Sequence, residues 1–285
     1  QQDSLKKWET ENLSDDEQEA IIEELELKAD SPMGVALTHV LLSLDQKNMQ
    51  LNLRDFPEML PNICLAGMNF HLNGVDEKAR NWSGLNLSGV DFRGAYLRKV
   101  QFEESQLNYA DLKHAHLREA NLQNANLSDA NLQNANLSEA NLQNANLWFA
   151  ELQNADLTVA NLQHADLTEA NLQNANLLKA KLQNADLWVA NLQHTNLSGA
   201  ELQNADLRGC DLSWWQLEKV NDGGFTGSKI TEEDFKDKIY PEWKAETDPE
   251  WEVLTKDEKM AAMQKFHDQT GIYIFSGNGR SQIIP

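Results

Sequence analysis

Between Trp82 and Leu217, every fifth residue is Trp, Phe or Leu. A small residue, usually Ala, stands two positions before most of them. The three positions in between carry mostly Asn, Gln, Ser, Asp and Glu, as in "ANLQNANLSEANLQNANLWFAELQNADL" (Ala130 to Leu157). A helix turns roughly 100° per residue, so leucines five apart drift by roughly 140° and form no stripe. In a flat strand, a period of five sends successive leucines to opposite faces. The pattern fits a chain that turns a corner every five residues and points one large and one small side chain inward each time. Counted this way, the segment holds 28 pentapeptides.

The units "ANLQN", "ANLSE", "ADLTE" and "AELQN" follow the motif A(D/N)LXX, and over about half its length the chain resembles the pentapeptide-repeat proteins. The resemblance implies an all-β solenoid, a right-handed quadrilateral β-helix with four pentapeptides per coil. The central Leu or Phe and the small residue before it would face inward. Twenty-eight repeats would make seven coils, a rod about 34 Å long at about 4.8 Å per coil. The stacked Asn and Gln are expected to form amide ladders between coils and to satisfy turn amides.

Outside this run the pattern weakens. Leu65 and Phe70 keep the spacing, and a jump of twelve then leads to Trp82, which predicts a loop over 71–79. After Leu217 come Phe225, Ile230 and Phe235, which read as three degenerate repeats after a three-residue insertion in "NDGG". The expected division is a helical N-terminal segment over 1–64, a β-helix over 65–237 (regular over 80–219) and a C-terminal segment over 238–285. In the first segment, "SDDE" (Ser14 to Glu17) is a capping box, Ser31-Pro32 opens a second helix over "SPMGVALTHVLLSL", and Pro57 and Pro61 end the segment. In the last, "TKDE" (Thr255 to Glu258) opens a helix closed near Gly271, and "IYIF" reads as a strand. The tail "SGNGRSQIIP" reads as an exposed end. Both flanks are expected to cover the open ends of the solenoid. The C-terminal one is long for a cap, which leaves room for a dimerising or docking role as well.

Charge changes the functional picture. The net charge is −21: 16 acids against 7 bases over 1–80, 16 against 9 over 81–220, and 13 against 8 over 221–285. Direct nucleic-acid binding needs a basic surface and is not expected. No apolar run reaches the ~18 residues of a membrane span, and no signal peptide is visible. With Cys210 at an inward small position as a buried thiol and Cys64 far from it, neither a disulfide nor a zinc site is expected. The expected compartment is the cytoplasm.

Enzyme motifs do not survive inspection. "GGFTGSK" (Gly223 to Lys229) has three residues between glycines where a phosphate loop needs four, and Ser precedes Lys. "GNGRS" is too short for a dinucleotide fingerprint. His164 and His194 fall on opposite faces, and His114 with His116 lack a third ligand. No catalytic residue, cofactor or metal is expected.

The outward residues of one face do stand out. Stacking residues twenty apart lines up Asn108-Tyr109, Ser128-Asp129, Trp148-Phe149, Thr168-Glu169, Trp188-Val189 and Arg208-Gly209. Tyr109, Trp148, Phe149, Trp188 and Val189 make an apolar patch among amides, with a smaller cluster of Val159 and Leu178 on the opposite face. Such patches mark interfaces, where Trp and Tyr serve as anchors; a terminal segment folding back over the tryptophans is the other use for them. The function read from the sequence is a non-catalytic scaffold whose aromatic face binds a protein partner or a second copy of the chain. The family resemblance implies an alternative, an acidic mimic of duplex DNA that modulates DNA gyrase or topoisomerase IV.

Overall fold

The computed structural model describes residues 64–70, 80–220, 224–244 and 250–275, with Ser14, Glu17, Ala20, Ile21 and Gln282. From Asn81 to Cys210 the backbone repeats one bridge, one turn and one inward pair every five residues. Each bridge joins residues twenty apart in parallel, such as Asn126 with Asn146 and Asn146 with Asp166. Twenty residues therefore close one four-sided coil, and the chain is a β-helix solenoid.

Two backbone hydrogen bonds tie each pentapeptide to its neighbours along the axis. The Leu147 amide donates to the Asp166 carbonyl (2.7 Å), and the Asn146 amide donates to the Ala125 carbonyl (2.9 Å). A third bond, from the Ala150 amide to the Leu147 carbonyl (2.9 Å), closes the corner. The paired Leu and Ala of every regular repeat are buried, for example Leu147 with Ala145 and Leu167 with Ala165. No single coil could enclose such a core; stacking supplies it. At the N-terminal end Phe70, Trp82, Phe92 and Phe102, from three sides of the coil, meet in the interior in ring contact, with neighbouring centroids 5.1–6.1 Å apart.

The expected amide ladders are present and do two jobs at once. Asn121, Asn141 and Asn161 stack: the Nδ2 of Asn141 and of Asn161 donates to the Oδ1 of the Asn one coil below (3.2 and 3.3 Å), and that of Asn121 to the Oε1 of Gln101 (3.2 Å). The same Oδ1 also accepts the amide two residues on, as Asn161 does from Gln163 (3.2 Å). Each Asn thus fixes its own corner as an Asx turn and its register against the next coil.

The interruptions register as the sequence implies. Cys64 pairs with Asp91 and Asn69 with Tyr96, an offset of 27 rather than 20. The surplus falls on 71–79, where the expected loop lies outside the described residues. Asp206 pairs with Lys229, an offset of 23, so three surplus residues fall between them. The glycine-rich Gly224–Ser228 stretch is a corner of this last coil, where the Asn204 amide donates to the Thr226 carbonyl (3.0 Å).

Two expected repeats take another form. Leu217 is buried, but it ends a one-turn helix, α1 (Trp214–Leu217), rather than a pentapeptide. The Gln216 side chain there replaces the missing ladder amides, its Nε2 donating to the carbonyls of Leu192 (2.6 Å) and Thr195 (3.2 Å). Phe235 is also no repeat. Ile230 lies on β1 (Lys229–Thr231), and the chain then turns helical through Glu232–Asp234, Phe235–Ile239 and Tyr240–Trp243. Thr231 and Asp234 form a capping box that ends the strand there. Phe235 instead centres an aromatic cluster with Tyr240, Trp243, Trp251 and Phe266, ring centroids 4.9–6.0 Å away, which continues the solenoid core at its C-terminal end.

The C-terminal elements match the expected ones. Helix α2 (Lys256–Thr270) opens on the Thr255–Glu258 capping box and closes at Gly271, whose left-handed φ of 71° suits a residue without Cβ. Strand β2 (Tyr273–Phe275) pairs in parallel with β1, Ile230 opposite Ile274. Since β1 sits on the last coil through Asp206, the pair extends the ladder and covers its open edge. At the other end, Ser14 and Glu17 form the expected capping box, with Glu17, Ala20 and Ile21 helical. The second N-terminal helix, Pro57, Pro61 and the tail except Gln282 lie outside the described residues. Among the described residues, no helix is long and apolar enough to cross a membrane.

Candidate functional site

The ladder sets the outward residues in columns, and the face through Leu147 brings the five candidates together. The Asp129 amide donates to the Trp148 carbonyl (2.9 Å), the Phe149 amide to Thr168 (3.1 Å), the Glu169 amide to Trp188 (2.9 Å) and the Val189 amide to Arg208 (3.0 Å). Trp148, Thr168 and Trp188 therefore stand in one column, and Tyr109, Asp129, Phe149, Glu169 and Val189 in the next. The tryptophans are two coils apart, about 10 Å along the axis. The rings of Trp148 and Phe149 meet edge to face at 4.4 Å.

All five side chains are open to solvent: Tyr109 64%, Trp148 42%, Phe149 38%, Trp188 47% and Val189 44% exposed. They are thus not ordinary core. The smaller opposite cluster is also present, with Val159 46% exposed and its amide bonded to the Leu178 carbonyl (2.9 Å).

A further property of these positions was missed in the repeat pattern. The second outward residue of each regular repeat has a left-handed backbone; Asn144, Phe149, Asn154, Val159 and Val189 all have φ between 54° and 60°. Most repeats fill this position with Asn, Gly, Asp or His, which tolerate it. A β-branched or aromatic residue there is strained by about 1–2 kcal/mol relative to glycine. Tyr109, Phe149, Val159 and Val189 are held in that conformation by coils whose other bonds fix it. The signal was in the sequence, because the recurring Asn and Gly at this offset mark a left-handed corner.

Charge is also sorted by face. Over 81–213 the face through Leu147 carries five acids (Asp129, Asp166, Glu169, Asp186, Asp206) against one base, Arg208. The opposite face carries three acids against four bases. On that face two pairs form between coils, Arg98 with Glu119 (2.6 Å) and Arg118 with Glu139 (2.7 Å). On the aromatic face Arg208 is committed to Asp206 through its Nε (2.7 Å) and lies under the Phe275 ring (5.2 Å). Asp166 and Asp186 make no ion pair among the described residues. Burial, with Asp206 and Asp166 nearby, pushes the Asp186 carboxyl above its usual range.

The remaining candidates for chemistry do not converge. His116 stacks on Tyr96 at 4.3 Å, and His114 lies 3.5 Å from the Asn134 amide. Among the described residues, no three His, Cys, Asp or Glu side chains gather as a metal site would require. Both cysteines are free; Cys64 is exposed, and Cys210 is buried with its thiol donating to the Leu187 carbonyl (2.9 Å). Burial pushes the Cys210 thiol far up, which keeps it protonated and unreactive. An open hollow of about 430 Å³ lies where the ladder ends, lined by His194, Asp211, Gln216 and Lys238 among others.

A family model described as pentapeptide repeats matches residues 86–124, 120–158, 150–188 and 190–221. Among solved structures, the chain is 32% identical to HetL, a pentapeptide repeat protein involved in heterocyst differentiation regulation from Nostoc sp. strain PCC 7120, over 58% of this chain and 73% of that one (TM-score 0.24). It is 33% identical to a second pentapeptide repeat protein from Nostoc PCC 7120, over 44% of this chain and 84% of that one (TM-score 0.31). It is 22% identical to QnrB1, a plasmid-mediated fluoroquinolone resistance protein, over 53% of this chain and 76% of that one (TM-score 0.41). No curated protein sequence matches it. The matched repeats fall on the coils whose register of twenty is described above, and the chain belongs to the pentapeptide repeat family.

Proposed function

We propose that this protein is a non-catalytic interaction scaffold, a rigid right-handed rod whose aromatic face engages a protein partner. The observation that carries this reading is that large apolar residues sit exposed at left-handed corners where Asn or Gly would be less strained. Exposed apolar groups at strained positions mark function more often than stability. Two free cysteines accord with a reducing compartment such as the cytoplasm.

The alternative is an acidic mimic of duplex DNA acting on gyrase or topoisomerase IV. It calls for carboxylates along the length of one face. The aromatic face stacks Asp166, Asp186 and Asp206 in sequence, but amides fill the same column below, at Asn146, Asn126 and Gln106. That short row gives the mimic less support than the aromatic patch gives the scaffold.

The test is crosslinked capture from the native cell with wild type and the double variant Trp148→Ala, Trp188→Ala. Capture should be lost in the variant while the unfolding midpoint stays nearly unchanged. A stability loss of about 3 kcal/mol or more would show that the indoles serve packing instead. Light-scattering mass of both proteins separates self-association from a foreign partner. A gyrase supercoiling assay, expected to show no inhibition, addresses the alternative.

A further inference from the structure

The aromatic face has a finer pattern than a patch. Along its outer column, apolar and acidic residues alternate coil by coil: Tyr109, Asp129, Phe149, Glu169, Val189. Asp129 and Glu169 are each half-buried between two of these apolar residues. Among the described residues neither has an ion-pair partner. At the same repeat position on the opposite face, Glu119 is held by Arg98 (2.6 Å) and Lys99 (3.3 Å), and Glu139 by Arg118 (2.7 Å). There the rod supplies a cation from the coil below; on the aromatic face the coils above and below supply rings and a Val. Two carboxylates are left framed by apolar walls, with Trp148 and Trp188 flanking Thr168 beside Glu169.

We infer that this column is a reader of a basic protein segment whose cations recur about every 10 Å. The inference rests on the reading of this face as an interaction surface. Arg or Lys can satisfy both features at once, since the carboxylate meets the charge and the indoles meet the face of the cation. The spacing follows from the ladder. Asp129 and Glu169 are two coils apart, about 9.6 Å, and a polyproline-type chain returns a side chain to the same side every third residue, about 9.3 Å on. An extended strand carries every third side chain to its other face, and alternate residues are only about 6.7 Å apart. A second copy of the chain is a poor occupant, because two such faces would oppose five acids with five.

The probes are two proline-rich peptides with equal numbers of Arg, one with Arg at every third position and one at every second. They are titrated calorimetrically at about 0.15 M salt, where long-range attraction to the acidic rod is largely screened. The third-position peptide should bind more tightly than the other, and Asp129→Asn with Glu169→Gln should weaken it about tenfold. Both changes keep shape and remove only charge. Glu103→Gln, which removes one charge from a different face, should leave binding unchanged.

Equal weakening by Glu103→Gln, or no preference for the third-position peptide, overturns the inference by reducing binding to net charge. So does a failure of the third-position peptide to bind. If neither peptide binds but partner capture still depends on Trp148 and Trp188, the basic segment is wrong and the interaction surface stands. A wild-type dimer broken by the tryptophan pair likewise overturns the basic segment and assigns the face to self-association. Loss of peptide binding, capture and dimer together removes both readings.

Discussion

The faces through Leu147 and Leu157 share one backbone and differ in the residues they turn outward. Both are built from pentapeptides of the same register, with buried Leu and Ala beneath and left-handed corners above. On the Leu157 face, Arg98 and Arg118 close ion pairs with Glu119 and Glu139 one coil on, so these charges are answered within the rod. On the Leu147 face, acids alternate with exposed Tyr, Phe and Val, and Trp148 and Trp188 stand beside them. A solenoid separates stability from recognition in this way: the inward positions hold the coil, and the outward ones are free to vary.

The strongest way to break that separation is through the core. Leu157→Ala and Leu167→Ala, one beneath each face, should each cost about 2–5 kcal/mol in denaturant unfolding. The two costs should agree, since both side chains are fully buried. A much smaller cost at Leu167 would mean that the aromatic face is not supported by the same core.

The corners sharpen the comparison. Phe149→Asn and Val159→Asn each replace a strained residue with one that tolerates this left-handed φ, and each should gain up to about 1 kcal/mol in thermal unfolding. Only Phe149→Asn should weaken partner capture. A gain in stability with a loss of binding at one face alone identifies strain kept for function.

The smallest effects concern pH, and they have opposite signs. The Asp186 carboxyl lies above its ordinary value of 3.8 because of burial and its acidic neighbours. Its contribution to stability is full below 3.8 and is lost as pH rises through the folded value. Asp186→Asn should therefore stabilise the protein at neutral pH, with the advantage disappearing on acidification. Asn keeps the acceptor that Asp186 offers the Trp188 amide (3.0 Å). Glu119 lies below its ordinary value of 4.5 because Arg98 and then Lys99 bond to it. Its contribution is full above 4.5 and is lost as pH falls through the lowered value. Glu119→Gln should lower stability at neutral pH, and the gap should close in acid. Unfolding curves at neutral and acid pH for the two variants check both signs.

Much of the candidate site was legible because the repeat turns sequence distance into geometry. A step of twenty residues is one coil, so Trp148, Thr168 and Trp188 could be stacked before any coordinates. The left-handed corner was legible in principle, from the Asn and Gly at its offset, and was missed. The cation partners of Glu119 and Glu139 were less accessible, because they depend on which way long side chains reach between coils.

The amino-acid sequence by itself determined the coil, its inward residues, its columns and the two insertions, because a five-residue corner is local chemistry and stacking repeats it without choice. The tertiary structure decided what becomes of residues outside that rule. Leu217 ends a helix because Gln216 takes over the ladder bonds from its side chain. Phe235 leaves the repeat because Trp251 and Phe266, distant in the chain, pack around it and extend the core beyond the last coil. The exposure of Trp148 and Trp188 was also a tertiary outcome, since a period of five places a side chain outward but does not say what covers it.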